Sequence, residues 1–497
     1  MHSTSHTRRV CSQRKPPRAQ TRQLGSRRPG TSRSPTPLHS LNTYVSAGIL
    51  PTLTVLSKEN VMEQIFFIIA GGTFNHIAPH FALAAPAFGK VGRQLSDFLP
   101  NALQDAGQKN ACVHLVLTRM AQGGFDRHEK DTLLFQAAGI KDLVTNEDLQ
   151  KLIDYLVGQT STRCIVLTAA VCDFEPVAVS PVYENDPEFG KYSHPRLSSS
   201  QEHKLTLAPS RKILARIRQD RKDIFLVSFK TTADAEPAET YKRGLALMKQ
   251  NGVNLMFAND IVRHTNMVIT PERFHYHLSE TREEALKGLA KMISLRTLNH
   301  FTRSTVVLGE PVSWHDARIP KSLQTVVDHC VARGAYKAFN GVTVGHFAVK
   351  VDEKTILTSR RKTNFNELET VGLVEINPDG ETRVIAHGSK PSVGGQSQRI
   401  IFREHPDADC IVHFHCPVKP GSQVPTRSQY AYECGSHECG QNTSNGLGSF
   451  GGIKAVMLES HGPNIVFHRD TDPQEVISFI EANFDLPRRT DFLLDTV

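Results

Sequence analysis

The chain has 497 residues, room for two to four domains of ordinary size, and 39% hydrophobic with 22% charged residues suits globular cores rather than a chain disordered throughout. No apolar run approaches the roughly 20 residues that span a bilayer, and no secretory apolar core lies near the N-terminus. Nine scattered cysteines, an odd number, fit reduced thiols better than a disulfide framework, which makes a cytoplasmic protein the expectation.

The formal charge of +8 is unevenly placed. Residues 1–57 contain no Asp or Glu but many arginines, among them Arg8-Arg9 and Arg27-Arg28. Such a segment buries too little apolar surface to offset its ordering entropy, so 1–61 reads as a disordered basic segment. It reads as a tail or as an overextended start with Met62 as initiator; a mitochondrial transit segment is the alternative. Because this tail carries much of the basicity, the folded body is expected to bind neither nucleic acid nor membrane.

From residue 63 the pattern is α/β. An apolar strand over 65–70 runs into Gly71-Gly72-Thr73, and Gly89-Lys90-Val91-Gly92 opens a helix through Leu95, Phe98 and Leu103. Strands over 113–118, 164–170, 224–229 and 253–258 alternate with helices over 148–157, 212–218 and 241–249. That cadence predicts a doubly wound parallel sheet, whose ligands bind at the carboxyl ends of its strands. Glycine turns feeding helix N-termini are ready anion sites, although each is equally readable as a plain turn.

Taken together, Gly71-Gly72-Thr73, Gly89-Lys90-Val91-Gly92, Ala169 through Pro176, Phe229 with Ala233-Asp234, and Ala258-Asn259-Asp260-Ile261 resemble the phosphopantothenate–cysteine ligase family. The resemblance implies a Rossmann-like domain over 62–300 that activates a carboxylate with CTP or ATP in coenzyme A biosynthesis. It implies that Gly71, Gly72 and Thr73 line the phosphates, with Gly89 and Lys90 in the second turn. Ala170, Asp173 and Phe174 would border base and ribose, and Asn259 would sit near the nucleotide. Two departures stand out. Ala85 replaces the family's asparagine and offers no donor to developing charge. A polar insert over 182–203, with Lys191, Arg196 or the following Lys204 as substitutes, replaces the lysine-rich loop.

An amphipathic helix over 281–298, with Leu286, Leu289 and Ile293 on one face, closes this domain. Residues 301–319 read as a linker containing a short strand over 304–308 and the lone tryptophan, Trp314, as an anchor between domains.

The second unit spans 320–490. It begins with a helix over 321–333 and continues with strands over 343–351, 355–358, 372–376 and 382–386. Lys390-Pro391-Ser392, a helix over 398–403 and a strand over 410–415 follow. In that strand, alternation places His413 and His415 on one side and turns Phe414 into the core. Two such imidazoles begin a site for Zn²⁺ or another divalent metal, and His461, in a strand-end His-Gly setting, is the expected third ligand. Two ordinary strand histidines are the bland alternative.

The order Lys-Pro-Ser, helix, Pro-Asp-Ala, His-x-His and Leu-x-x-His-Gly resembles the class II aldolase/adducin-like family, an α/β/α fold. The resemblance makes His413, His415 and His461 the zinc ligands of a lyase or epimerase acting on a small hydroxy-carbonyl phosphate. The family's acid/base carboxylate falls at Gly394, so Glu438 or His437 is the expected substitute. His437 with Cys434 and Cys439 could instead form a zinc knuckle. Thr358, Arg360 and Ser392 stand where the family grips phosphate.

Three functions therefore compete: a fusion whose main activity is metal-dependent lyase chemistry, a phosphopantothenate–cysteine ligase, and a non-catalytic adducin-like interaction module. A homo-oligomer is expected by analogy with both families.

Overall fold

The central strand of the first unit, Gln64–Ala70, is apolar along nearly all its length because both its faces are covered. Phe67 and Ile69 enter one core, while Phe66 and Ile68 enter another on the opposite face. The protein, a computed structural model, is described over residues 63–490 apart from 79, 123–128, 181–195, 340 and 393–394. The basic segment, Met62, Lys191 and Gly394 lie outside the described residues.

The first sheet runs in the order His275–Ser279, Asn266–Ile269, Leu255–Asp260, Phe225–Thr232, Thr162–Leu167, Gln64–Ala70, Ala111–Leu117. The last five strands in that order are parallel, and the first two add an antiparallel edge. Helices Lys90–Asp105 and Arg282–Arg296 cover one face through Leu95, Leu99, Leu286 and Ile293. Asn146–Gly158, Ile213–Asp220 and Pro237–Asn251 cover the other. Thr145 starts the first of these with a capping box, its hydroxyl accepting from the Asp148 N–H at 3.1 Å. The strand order reverses beside Gln64–Ala70, which makes Gly71 and Ala170 neighbours at the switch point.

Two hairpins were not anticipated, Phe74–Ala78 with Phe81–Ala84 and Phe174–Ser180 with Lys204–Pro209. Their strands are short and half exposed, so no apolar run announces them.

The second unit is a largely antiparallel sheet between helix layers. Its spine is Thr355–Ser359, His346–Asp352, Cys410–His413, Gly462–Phe467 and Ile453–Leu458. Lys321–Ala332 and Pro473–Asn483 pack one face, and Ile401 and Phe402 of Gly395–Glu404 pack the other. The stretch read as a linker is partly built into this unit. Its strand Arg303–Val307 pairs in parallel with Arg383–His387. Trp314 is 2% exposed, lies edge-on to Phe347 at 5.3 Å and donates to Asp328 at 3.1 Å. It is a core residue of the second unit, not an anchor between units. All five residues of the strand are exposed, which erased any burial signal.

The units meet along a buried polar seam. Arg296, fully buried, pairs with Glu272 at 3.1 Å and donates to the carbonyls of Gln429 and Tyr430. Asn254 donates to both Glu433 carboxylate oxygens, and Asn299 accepts from the Glu433 N–H at 2.6 Å. Truncating one partner of a buried pair strands the other charge in low dielectric. Arg296→Met is therefore expected to lower unfolding free energy by roughly 3–5 kcal/mol. Arg243→Met, which breaks an exposed helix pair with Glu239, should cost under about 1 kcal/mol. Denaturant melts of the two variants check the contrast.

Candidate metal centre

All four residues of Cys410–His413 are buried, because the strand is paired on both sides. Val412, Phe414 and Cys416 alternate into the main core. His413 and His415 therefore emerge on the other side, His415 just past the strand end. His461 sits in the turn between Ile453–Leu458 and Gly462–Phe467. That turn presses on the neighbouring chain: a Cβ on Gly462 would lie 2.0 Å from the Phe414 carbonyl oxygen. Only glycine lets His461 come so near.

The three rings converge. Their centroids are 5.1 Å apart for His413–His415 and 4.6 Å for each pair with His461, and one ligand atom from each lies within 4.8 Å of the others. All are buried, at 2%, 6% and 2% exposure. His413 Nδ1 bonds the Pro463 carbonyl at 2.7 Å, which puts its proton there and leaves Nε2 as a lone-pair donor. That Nε2 and both ring nitrogens of His461 have no hydrogen-bond partner. Buried polar atoms are rarely left so, since each costs about 1–3 kcal/mol. A divalent cation would satisfy them, and three imidazoles form a donor set such a cation takes.

Burial holds His413 in the neutral form that ligation needs, pushing it down to about 4. His415 and His461 lie well below the usual histidine range, from burial first and neighbouring histidines next.

A fourth histidine was missed by sequence reasoning. His346 faces His413 across the strand pair, its ring 4.8 Å away. Gly345, at φ 116°, permits this, because a Cβ there would lie 2.3 Å from the His413 carbonyl oxygen. The Gln398 amide donates to His346 Nδ1 at 2.8 Å, which puts the His346 proton on Nε2. The only signal in the sequence was a histidine after a glycine at a strand start. A small cavity of about 10 Å³, enough for one water or ion, is lined by His346, His413, His461, Cys434, Cys439 and Asn464 among others. Burial raises both thiols, so they stay protonated, and neither belongs to the close ligand cluster.

Several expected residues face elsewhere. Glu438 accepts from the His300 backbone N–H at 2.8 Å and bonds its ring Nδ1 at 2.7 Å. His437 opens the helix His437–Ser444, its N–H donating to the His300 carbonyl. Neither lines the cavity, and among the described residues His437, Cys434 and Cys439 are not part of the close ligand cluster. Thr358 is fully buried and donates to the Phe347 carbonyl, and Arg360 donates to the Val371 carbonyl at 2.5 Å. Both belong to the scaffold. Ser392, half-buried, donates its N–H to the Ser359 carbonyl.

In the first unit, Thr73 is fully buried. Its hydroxyl donates to Asn146 at 2.6 Å and accepts from the Cys172 N–H at 2.9 Å, so it is engaged within the protein. Gly71 and Gly72 are buried against Thr118, Met120 and the Ala85 carbonyl. Gly89, Lys90 and Ala170 stand near the switch point, Lys90 exposed. Asp173 and Phe174 are exposed, Asp173 beside Lys212. Asn259 is buried and accepts from Thr231.

Residues 61–298 match the family model of the DNA/pantothenate metabolism flavoprotein C-terminal domain, and 327–419 match that of the class II aldolase and adducin N-terminal domain. The chain joins a phosphopantothenate–cysteine ligase-like domain to a class II aldolase-like domain. Similar solved structures include the DNA/pantothenate metabolism flavoprotein of Streptococcus pneumoniae, 20% identical over 46% of this chain and 98% of that one (TM-score 0.37). The C-terminal domain of the coenzyme A biosynthesis bifunctional protein CoaBC is 16% identical over 47% and 95% (0.32). An L-fuculose 1-phosphate aldolase is 15% identical over 33% and 84% (0.25). No curated protein matches the chain. Both matching families are enzyme families. Among the described residues, no helix is long and apolar enough to cross a membrane.

The buried histidines set an acid sensitivity. An unfolded histidine takes up a proton near pH 6.5, whereas folded His413 resists it to about 4. The unfolded state therefore binds more protons in that window. Metal-free protein should lose stability as pH falls from 6.5 towards 4, and denaturant midpoints of His413→Phe should fall less steeply over the same range.

Proposed function

We propose that the aldolase-like unit is a divalent-metal lyase of the class II aldolase type, acting on a small hydroxy-carbonyl substrate, with His413, His415 and His461 as ligands. One observation carries this reading: three buried imidazoles converge, and two of them hold unpartnered ring nitrogens. A bound cation would supply Lewis acidity to the substrate's carbonyl oxygen. The chain's own part is preorganisation. The Pro463 carbonyl fixes the His413 tautomer, and the close approach at Gly462 sets the His461 position. His346, carrying its proton on Nε2 beside His413, offers an N–H to an oxygen that gains negative charge. No carboxylate lines the cavity, so proton transfer by a carboxyl group is not part of the proposal.

Metal analysis of the purified full chain tests it. Wild type should carry about one divalent ion per chain. His413→Ala and His461→Ala should each lose it, while His346→Gln, outside the ligand set, keeps it. Unchanged metal in both alanine variants would overturn the assignment.

A further inference from the structure

Residues 299–326 fall between the ranges that the two family models match, and the strand Arg303–Val307 lies among them. It forms one edge of the second sheet, paired in parallel with Arg383–His387 through all five of its residues without a bulge. The Arg303 N–H donates to the Thr382 carbonyl at 2.8 Å, and the Gly388 N–H donates to the Val307 carbonyl at 2.9 Å. Backbone groups alternate in direction along a strand, so those of Ser304 and Val306 point the other way, off the edge of the sheet. Every residue from 303 to 311 is exposed.

Such an edge is a template for another strand, and proteins that keep one uncovered blunt it with very short strands, lysine, proline or bulges. The opposite end of this sheet follows that rule, tapering to the two-residue strand Thr426–Arg427. Arg303–Val307 does not. It holds neither lysine nor proline, and it ends in the β-branched run Thr305-Val306-Val307. Apolar side chains crowd the same stretch. Of fourteen exposed large apolar side chains among the described residues, five lie within 298–308: Leu298, Phe301, Val306, Val307 and Leu308, the last fully exposed. A cluster of that kind marks a surface that another protein covers. The charges say which protein. Arg303 opens the strand and Glu310 stands just past its end, both exposed. A second copy running antiparallel brings the Arg303 end of each strand to the Glu310 end of the other, whereas a parallel copy would set like charges together. Antiparallel pairing is also what a twofold axis generates, so one contact closes both edges at once.

We propose that two copies of this chain associate through Arg303–Val307, the edge strands pairing antiparallel across a twofold axis so that the second sheets of both copies become one continuous sheet. The outward backbone groups of Ser304 and Val306 gain partners, and the second copy covers the apolar side chains of 306–308. The inference goes beyond the lyase reading and does not depend on it, since the strand holds no residue of the histidine centre.

Sedimentation velocity of the full chain at about 50 µM tests it, because association depends on concentration. Val306→Pro removes an N–H that faces away from Arg383–His387 and so spares the internal pairing. Leu308→Lys puts a charge at a fully exposed position and decides the matter if the proline variant does not fold. Leu133→Lys, at an exposed position on the helix Glu129–Ala137, is the control. Wild type should sediment as an even multiple of the 55.2 kDa chain, with the control unchanged. Half the wild-type mass in either edge variant upholds the proposal. The Ser304 and Val306 amides of wild type should exchange hydrogen at least about tenfold more slowly than those of Leu308→Lys. A wild type of one chain's mass would overturn the proposal, even with those amides protected, which would show the edge covered by another part of the same chain. Unchanged mass in both edge variants, or equal exchange in wild type and Leu308→Lys, would overturn it as well and place any contact between copies elsewhere.

Discussion

Everything distinctive about this protein passes through the Glu272 carboxylate. It is buried, it pairs with the fully buried Arg296, and it accepts the Cys434 N–H. The first contact ties the closing helix of one unit to the turn of its edge strands. The second reaches into the wall of the histidine cavity. A carboxylate so placed is tolerable only while its partners stay in position. The seam therefore demands one arrangement of the two units, and the centre inherits that arrangement. Apolar burial holds each unit together. This polar seam decides how they are joined.

How far the sequence disclosed this depends on where the information was stored. The strand Gln64–Ala70 was legible because covering on both faces leaves a continuous apolar run. His413 and His415 were legible because alternation along one strand is a local property. His461 needed only the His-Gly turn beside a strand. His346 was not legible, because its relation to His413 runs across a strand pairing, and register between distant strands is not written in either one. Arg296 looked like the last basic residue of an amphipathic helix, a common place for a solvated cation, and is instead fully buried. The short strand expected over 304–308 is present as Arg303–Val307, but its parallel pairing with Arg383–His387 was not legible, because every one of its residues is exposed.

The two halves differ in how much of their families' chemistry the residues keep. In the ligase-like half the Gly-Gly-Thr turn is packed shut, Thr73 works as an internal hydrogen-bond hub, and Ala85 has no donor side chain. In the aldolase-like half the imidazoles remain, with nitrogens that no protein group satisfies. Buried groups in that condition are retained where something binds them, because leaving them unmet weakens the fold. The proposed lyase chemistry accordingly draws on the side chains of the second half.

The most direct test is metal-edge X-ray absorption on the purified, metal-loaded full chain. The account predicts a first shell of nitrogen and oxygen at about 2.0–2.1 Å with outer-shell scattering from three imidazoles. A shell containing sulfur at about 2.3 Å, which would make Cys434 or Cys439 a ligand, or a shell without imidazole scattering, would contradict it.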